Sequence, residues 1–203
     1  MELREALTQI AEIRQQMART ELFRGYRAAP VAFSGGLALG AAALQTVLIP
    51  QPREQLTAYL ILWFGAAALS LLASAGGMIL RHRYLSSPLQ REITMLAVEQ
   101  FVPALAAGAL LTFVLVVTSP ESLWMLPGLW QMLFSLGIFA SYRLLPRPML
   151  GVAIFYLAAS AVCLALARGD GALSPWAMGV PFGAGQLLVA SVLYWSLERS
   201  HES

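Results

Sequence analysis

The chain has 203 residues, 58% of them hydrophobic, with a mean hydropathy of +0.67. Charged residues make up only 12%, about half the share of an ordinary soluble domain. That excludes a water-soluble globule, and it excludes disorder, which needs low hydrophobicity and high charge. The formal net charge of +2 points to no nucleic-acid partner. The solvent implied is a lipid bilayer.

The chain opens on a polar stretch, residues 1–27. Leu3, Leu7, Ile10, Ile13 and Met17 recur at three- and four-residue steps, which predicts an amphipathic helix. Its polar face sets Glu2, Glu5 and Glu12 against Arg4, Arg14 and Arg19 and is therefore neutral. Helices that lie on anionic lipid carry a basic face, so residues 1–20 are expected to pack on protein: the chain's own cytoplasmic loops, a second copy or another subunit. The first long apolar run starts near Ala28, too far in for a cleavable signal peptide.

Six charge-free runs follow, at 28–52, 55–80, 100–120, 122–142, 148–167 and 171–197, and the shortest is 20 residues. A helix needs about 20 apolar residues to cross a hydrocarbon core of roughly 30 Å. Transmembrane β-strands would instead alternate in polarity over about ten residues. The reading is an all-α, polytopic membrane protein with spans at about 30–49, 56–80, 93–118, 122–142, 148–167 and 175–197. Of the 13 Arg, 11 fall in segments on one side of such a bundle, and only Arg53 and Arg168 on the other. Arg-rich short loops stay in the cytoplasm, so both termini are expected there and the inner membrane is the expected location.

Prolines punctuate the spans. Ser119-Pro120 and Ser174-Pro175 each offer a capping hydroxyl followed by proline at the first helical position. Pro50-Gln51-Pro52 and Pro146-Arg147-Pro148 end helices in tight turns. Connections this short predict consecutive helices packed as antiparallel neighbours.

Few side chains within the spans carry chemistry. Glu99 falls inside the third span, about 9 Å past the expected entry near Ile93, where charge is costly and often functional. Pro103 removes the hydrogen bond to the carbonyl four residues earlier, which is that of Glu99. A carboxyl, a freed carbonyl and Gln100 would thus meet at a kink. The competing reading has Glu99 close enough to the inner surface to reach water or an Arg such as Arg81 or Arg91. Gln131 and Gln186 are expected near mid-membrane, as interhelical hydrogen bonds or as the lining of a substrate cavity. Gly179, Gly183, Gly185 and Pro181 would bend or break the last span, as in transporter sites. Val102-Pro103 and Val180-Pro181 open the third span of each half, a faint echo of an inverted repeat. Gly36 and Gly40, and Gly179 and Gly183, have helix-contact spacing, at a frequency chance explains.

No hydrolase set, phosphate loop or zinc-spaced cluster occurs, so no catalytic residue, cofactor or metal is expected. Cys163 is read as an inert packing residue. Two functions remain in view. One is a non-catalytic membrane protein acting through a membrane or cytoplasmic partner. The other is a small-substrate transporter or substrate-capturing subunit with a polar site near Glu99 and Gln186.

Overall fold

Each charge-free run holds one long helix, and among the described residues there is no strand. The structure, a computed structural model, describes residues 28–84 and 88–198, with side chains over 28–77, 95–169 and 171–196. The helix expected over residues 1–20 lies outside the described residues. The helices are α1 (Ala28–Leu48), α2 (Leu56–Tyr84), α3 (Pro88–Thr118), α4 (Leu126–Ser141), α5 (Met149–Leu166) and α6 (Pro175–Leu193). A 3-10 turn, Pro120–Met125, leads into α4, and a π turn, Tyr194–Glu198, ends α6. Six stretches are long and apolar enough to cross a membrane. The chain is an all-helical, multi-pass membrane protein. One end of the bundle carries Arg53 and Arg168 in its connections, and the other carries Arg143 and Arg147.

The tightest seam joins α1 to α6. Val31, Ser34, Gly35, Ala38, Ala41, Ala42 and Gln45 are buried at three- and four-residue steps along α1, and small residues on α6 let the backbones close on them. A Cβ added to Gly179 would lie 2.4 Å from the Ala42 Cβ, and one added to Gly183 would lie 2.7 Å from the Leu39 side chain. Close approach through small residues is how helices bind in lipid, where no hydrophobic effect drives them together. Gly36 and Gly40 take no part in the seam; both face open space.

Helices α4 and α5 form a second pair, joined to α6 through aromatic rings. Phe134 meets Phe101 at 5.2 Å, Tyr156 at 4.9 Å and Phe182 at 5.6 Å between ring centroids, separations at which tilted and edge-to-face rings attract. Two glycines make room: a Cβ on Gly137 would strike the Phe101 ring at 2.6 Å, and one on Gly185 the Tyr156 ring at 2.3 Å.

The expected pattern of sequential neighbours breaks once. Helix α2 is held by α1 and α3 by α4, and among the described residues α2 and α3 share no extended contact. Trp130 of α4 stands between them, its ring edge-on to Phe64 of α2 at 5.4 Å and its N–H donating to the Thr112 hydroxyl of α3 at 2.9 Å. Three further expectations are corrected in detail. Ser119 and Ser174 do occupy N-cap positions before a proline, but neither hydroxyl caps its helix. Their carbonyls accept the first turns instead, from the N–H groups of Ser122 and Ala177. Of the bend or break expected at Pro181 the break does not occur: α6 runs as continuous helix through it, as α3 does through Pro103.

Candidate functional site

Polar side chains that lipid cannot hydrate must find partners inside the bundle. Most of those buried here gather toward the Arg53 end. Gln45, in the last turn of α1, is fully buried; its Nε2 donates to the Leu173 carbonyl at 2.8 Å, and its Oε1 accepts from Trp63 Nε1 of α2 at 2.7 Å. One amide thus ties α1 to α2 and to the segment before α6.

That segment, residues 167–174, closes the Arg53 end. Leu173 has φ +60°, a left-handed conformation rare for a residue with a side chain. It is kept there by the Gln45 bond and by burial of the Leu173 side chain against Ala41, Ala42, Tyr59, Trp63 and Met178. Arg53 donates to the Gly169 carbonyl, and the Arg168 guanidinium lies 5.0 Å from the centre of the Trp124 ring, a cation–π contact. Both arginines of this end therefore serve to fasten its connections.

Gln131 lies beneath the segment. Pro181 leaves the carbonyl four residues earlier, that of Ala177, without its helical donor. Gln131 Nε2 donates to that carbonyl at 2.8 Å. This bond fixes which way the amide points and turns Oε1 away from α6. Oε1 then has no partner, and neither do Tyr59 Oη nor Ser160 Oγ. All three side chains are fully buried. Ser160 lies three residues before Cys163 on the same face of α5. An unsatisfied buried polar atom costs about 1–3 kcal/mol, and the three groups that bear it are neutral: two hydroxyls and an amide carbonyl.

The residues singled out from the sequence do not share one site. Gln131 meets the Ala177 carbonyl in the first turn of α6. Gln186 is half-buried at the α1–α6 seam, its Cβ 3.3 Å from where a Cβ on Gly35 would stand. Glu99 and Gln100 are exposed on α3. The Ser141 hydroxyl donates to the Ala97 carbonyl at 3.3 Å, which places Glu99 near the Arg143 end of the bundle. The side chains of Arg81 and Arg91 lie outside the described residues.

Sequence reasoning passed over Gln45, Tyr59, Trp63 and Ser160. A usable signal existed for Tyr59 and Trp63, whose four-residue spacing puts a hydroxyl and an indole N–H on one helix face. No protein-family model, no curated protein and no solved structure matches this chain.

Proposed function

We propose that the chain is a non-catalytic protein of the inner membrane, with both termini in the cytoplasm, that acts through a protein partner in an accessory, regulatory or assembly role. The observation that carries this reading is the surface of α3. Of the most apolar 18-residue window within Met95–Thr118, only 6% is buried within the chain, and Glu99 and Gln100 lie exposed near the start of that span. An ionisable side chain on an outward helix face is costly in lipid and is better covered by a polar or basic protein surface. The neutral amphipathic stretch over residues 1–20 adds a cytoplasmic docking element on the same side of the membrane.

Substrate capture through Glu99 and Gln186 is less well supported. One side chain is exposed on α3 near the Arg143 end, and the other lies about 17 Å along α6 from its first residue, against α1.

The test is gentle purification from native membranes, with a photo-crosslinking residue at Val98 or Val102 on α3. One stoichiometric protein crosslinked from α3, and lost on deleting residues 1–20 while the six spans stay inserted, is the expected result. Crosslinks to lipid alone, or unchanged co-purification after the deletion, overturn the reading. Tags at Met1 and Ser203 reachable only from the cytoplasm are expected in the same strain.

A further inference from the structure

From the turn between α4 and α5 we infer a contact site for the headgroup phosphates of anionic phospholipid, made by Arg143 and Arg147. The two ends of the bundle use their arginines differently. Arg53 and Arg168 are engaged within the protein, on the Gly169 carbonyl and the Trp124 ring. Arg143 and Arg147 are exposed and make no hydrogen bond, ion pair or ring contact with any described residue. Glu99, toward the same end on α3, pairs with neither, and no acidic residue occurs between Glu121 and Asp170 to neutralise them.

Depth and charge name the ligand. The apolar stretches Pro120–Leu144 and Met149–Leu166 leave only residues 145–148 between them, a chain that extends at most about 14 Å. Arg143 falls in the last turn of the first stretch and Arg147 just before the second, so both stand at the edge of the hydrocarbon, where lipid phosphates lie. Tyr142 and Leu150, 44% and 43% exposed, flank them; a tyrosine at this edge is the amphipathic side chain that the headgroup region selects. The turn is stiff. Pro146 and Pro148 fix two φ angles, and the N–H groups of Leu145, Met149 and Leu150 donate to the carbonyls of Tyr142, Pro146 and Arg147. Binding therefore orders little more than two side chains. Each guanidinium is charged at every physiological pH and presents a fixed fork of N–H donors that fits two phosphate oxygens. A zwitterionic headgroup brings its own cation to its phosphate, so two unpaired arginines favour a headgroup with net negative charge.

Two measurements on the full chain decide the matter. In the first, the protein is exchanged into an equal mixture of phosphatidylglycerol and phosphatidylcholine, and the lipid it retains on gradual stripping is counted by native mass spectrometry. The wild type is expected to retain phosphatidylglycerol in excess. A basic residue near an anionic surface strengthens binding roughly fivefold, so Arg143→Gln with Arg147→Gln should lower that excess at least about fivefold. Arg53→Gln with Arg168→Gln removes the same charge from arginines already engaged within the protein and should leave the excess in place. No excess in the wild type, or equal losses from the two pairs, overturns the inference, since net charge alone would then govern. In the second, thermal unfolding is followed in nanodiscs. The Arg143/Arg147 double variant should melt with the wild type in phosphatidylcholine, and only the wild type should gain a few degrees in phosphatidylglycerol. A double variant that melts lower in phosphatidylcholine overturns the inference, because the arginines would then fasten the turn as those of the other end do. The same gain from inorganic phosphate added to the wild type in phosphatidylcholine overturns it too, since the ligand would then be free phosphate and not lipid.

Discussion

Four helices of this bundle pack on one another and two lean against them. In their most apolar stretches α1, the turn with α4, α5 and α6 bury 39%, 44%, 33% and 39% of their residues, whereas α2 and α3 bury 11% and 6%. Hydrophobicity does not separate the groups, since lipid tails are as apolar as leucine. What separates them is close contact through small residues: Gly35, Gly179 and Gly183 are buried and lie on the central helices, whereas buried hydrogen-bonding side chains occur in both groups, Gln45, Gln131, Ser135 and Ser160 on the central helices and Tyr59, Trp63 and Thr112 on the outer two. The contacts follow the inverted repeat only in part: α3 packs on α4 as α6 packs on α1, but α6 also meets α4 and α5, whereas among the described residues α3 has no extended contact with α1 or α2.

The contrast breaks most visibly at the α1–α6 seam. Gly179→Val sets side-chain atoms where the Ala42 Cβ already stands, 2.4 Å from the added Cβ, and neither helix can retreat without losing the other contacts. It should cost about 3 kcal/mol, read as a lower midpoint in thermal unfolding followed by tryptophan fluorescence. Gly36→Val, on the same seam's helix but facing open space, should stay within about 0.5 kcal/mol. Equal losses would mean that α1 uses the Gly36 face as well.

A smaller effect comes from the bonds that fasten the outer helices. Gln45→Leu strands the Trp63 N–H and the Leu173 carbonyl inside the protein and should cost about 2 kcal/mol. Thr112→Val strands only the half-buried Trp130 N–H and should cost about 1 kcal/mol. A reversed order would move α3 into the core and α2 out of it.

The six spans were legible because charge is excluded from hydrocarbon, so every long charge-free run had to be a helix. Which helices are central was not, because in lipid every face is apolar and amphipathic periodicity carries no signal. The proline rule was the nearest miss. Applied to Pro103 it named the carbonyl of Glu99, which sits on an exposed stretch of α3. Applied to Pro181 the same rule names the Ala177 carbonyl, the one that Gln131 satisfies across the α4–α6 contact. Gln45 was hidden by its place one turn from the end of α1, where a polar residue is expected to reach the headgroups. Leu173 could not be foreseen at all, because nothing local favours a left-handed leucine; its conformation is imposed by Gln45 and by the apolar cluster that receives its side chain.

The smallest expected effect is the most informative about the outer helices. Glu99 is exposed on α3, so in detergent Glu99→Gln removes a charge that the bundle does not use, and the midpoint should move by less than about 2 °C. Phe113, 66% exposed on the same helix, should tolerate alanine equally well there. In native membranes the two substitutions are expected to part company. Lipid covers an alanine as readily as a phenylalanine, but a partner that meets Glu99 with a basic group loses that pairing, so only Glu99→Gln should reduce crosslinking from Val98. Were Glu99→Gln instead to cost as much in detergent as Gln45→Leu, the carboxyl would belong to a network within the chain, and α3 would have to be counted with the packed helices rather than with α2.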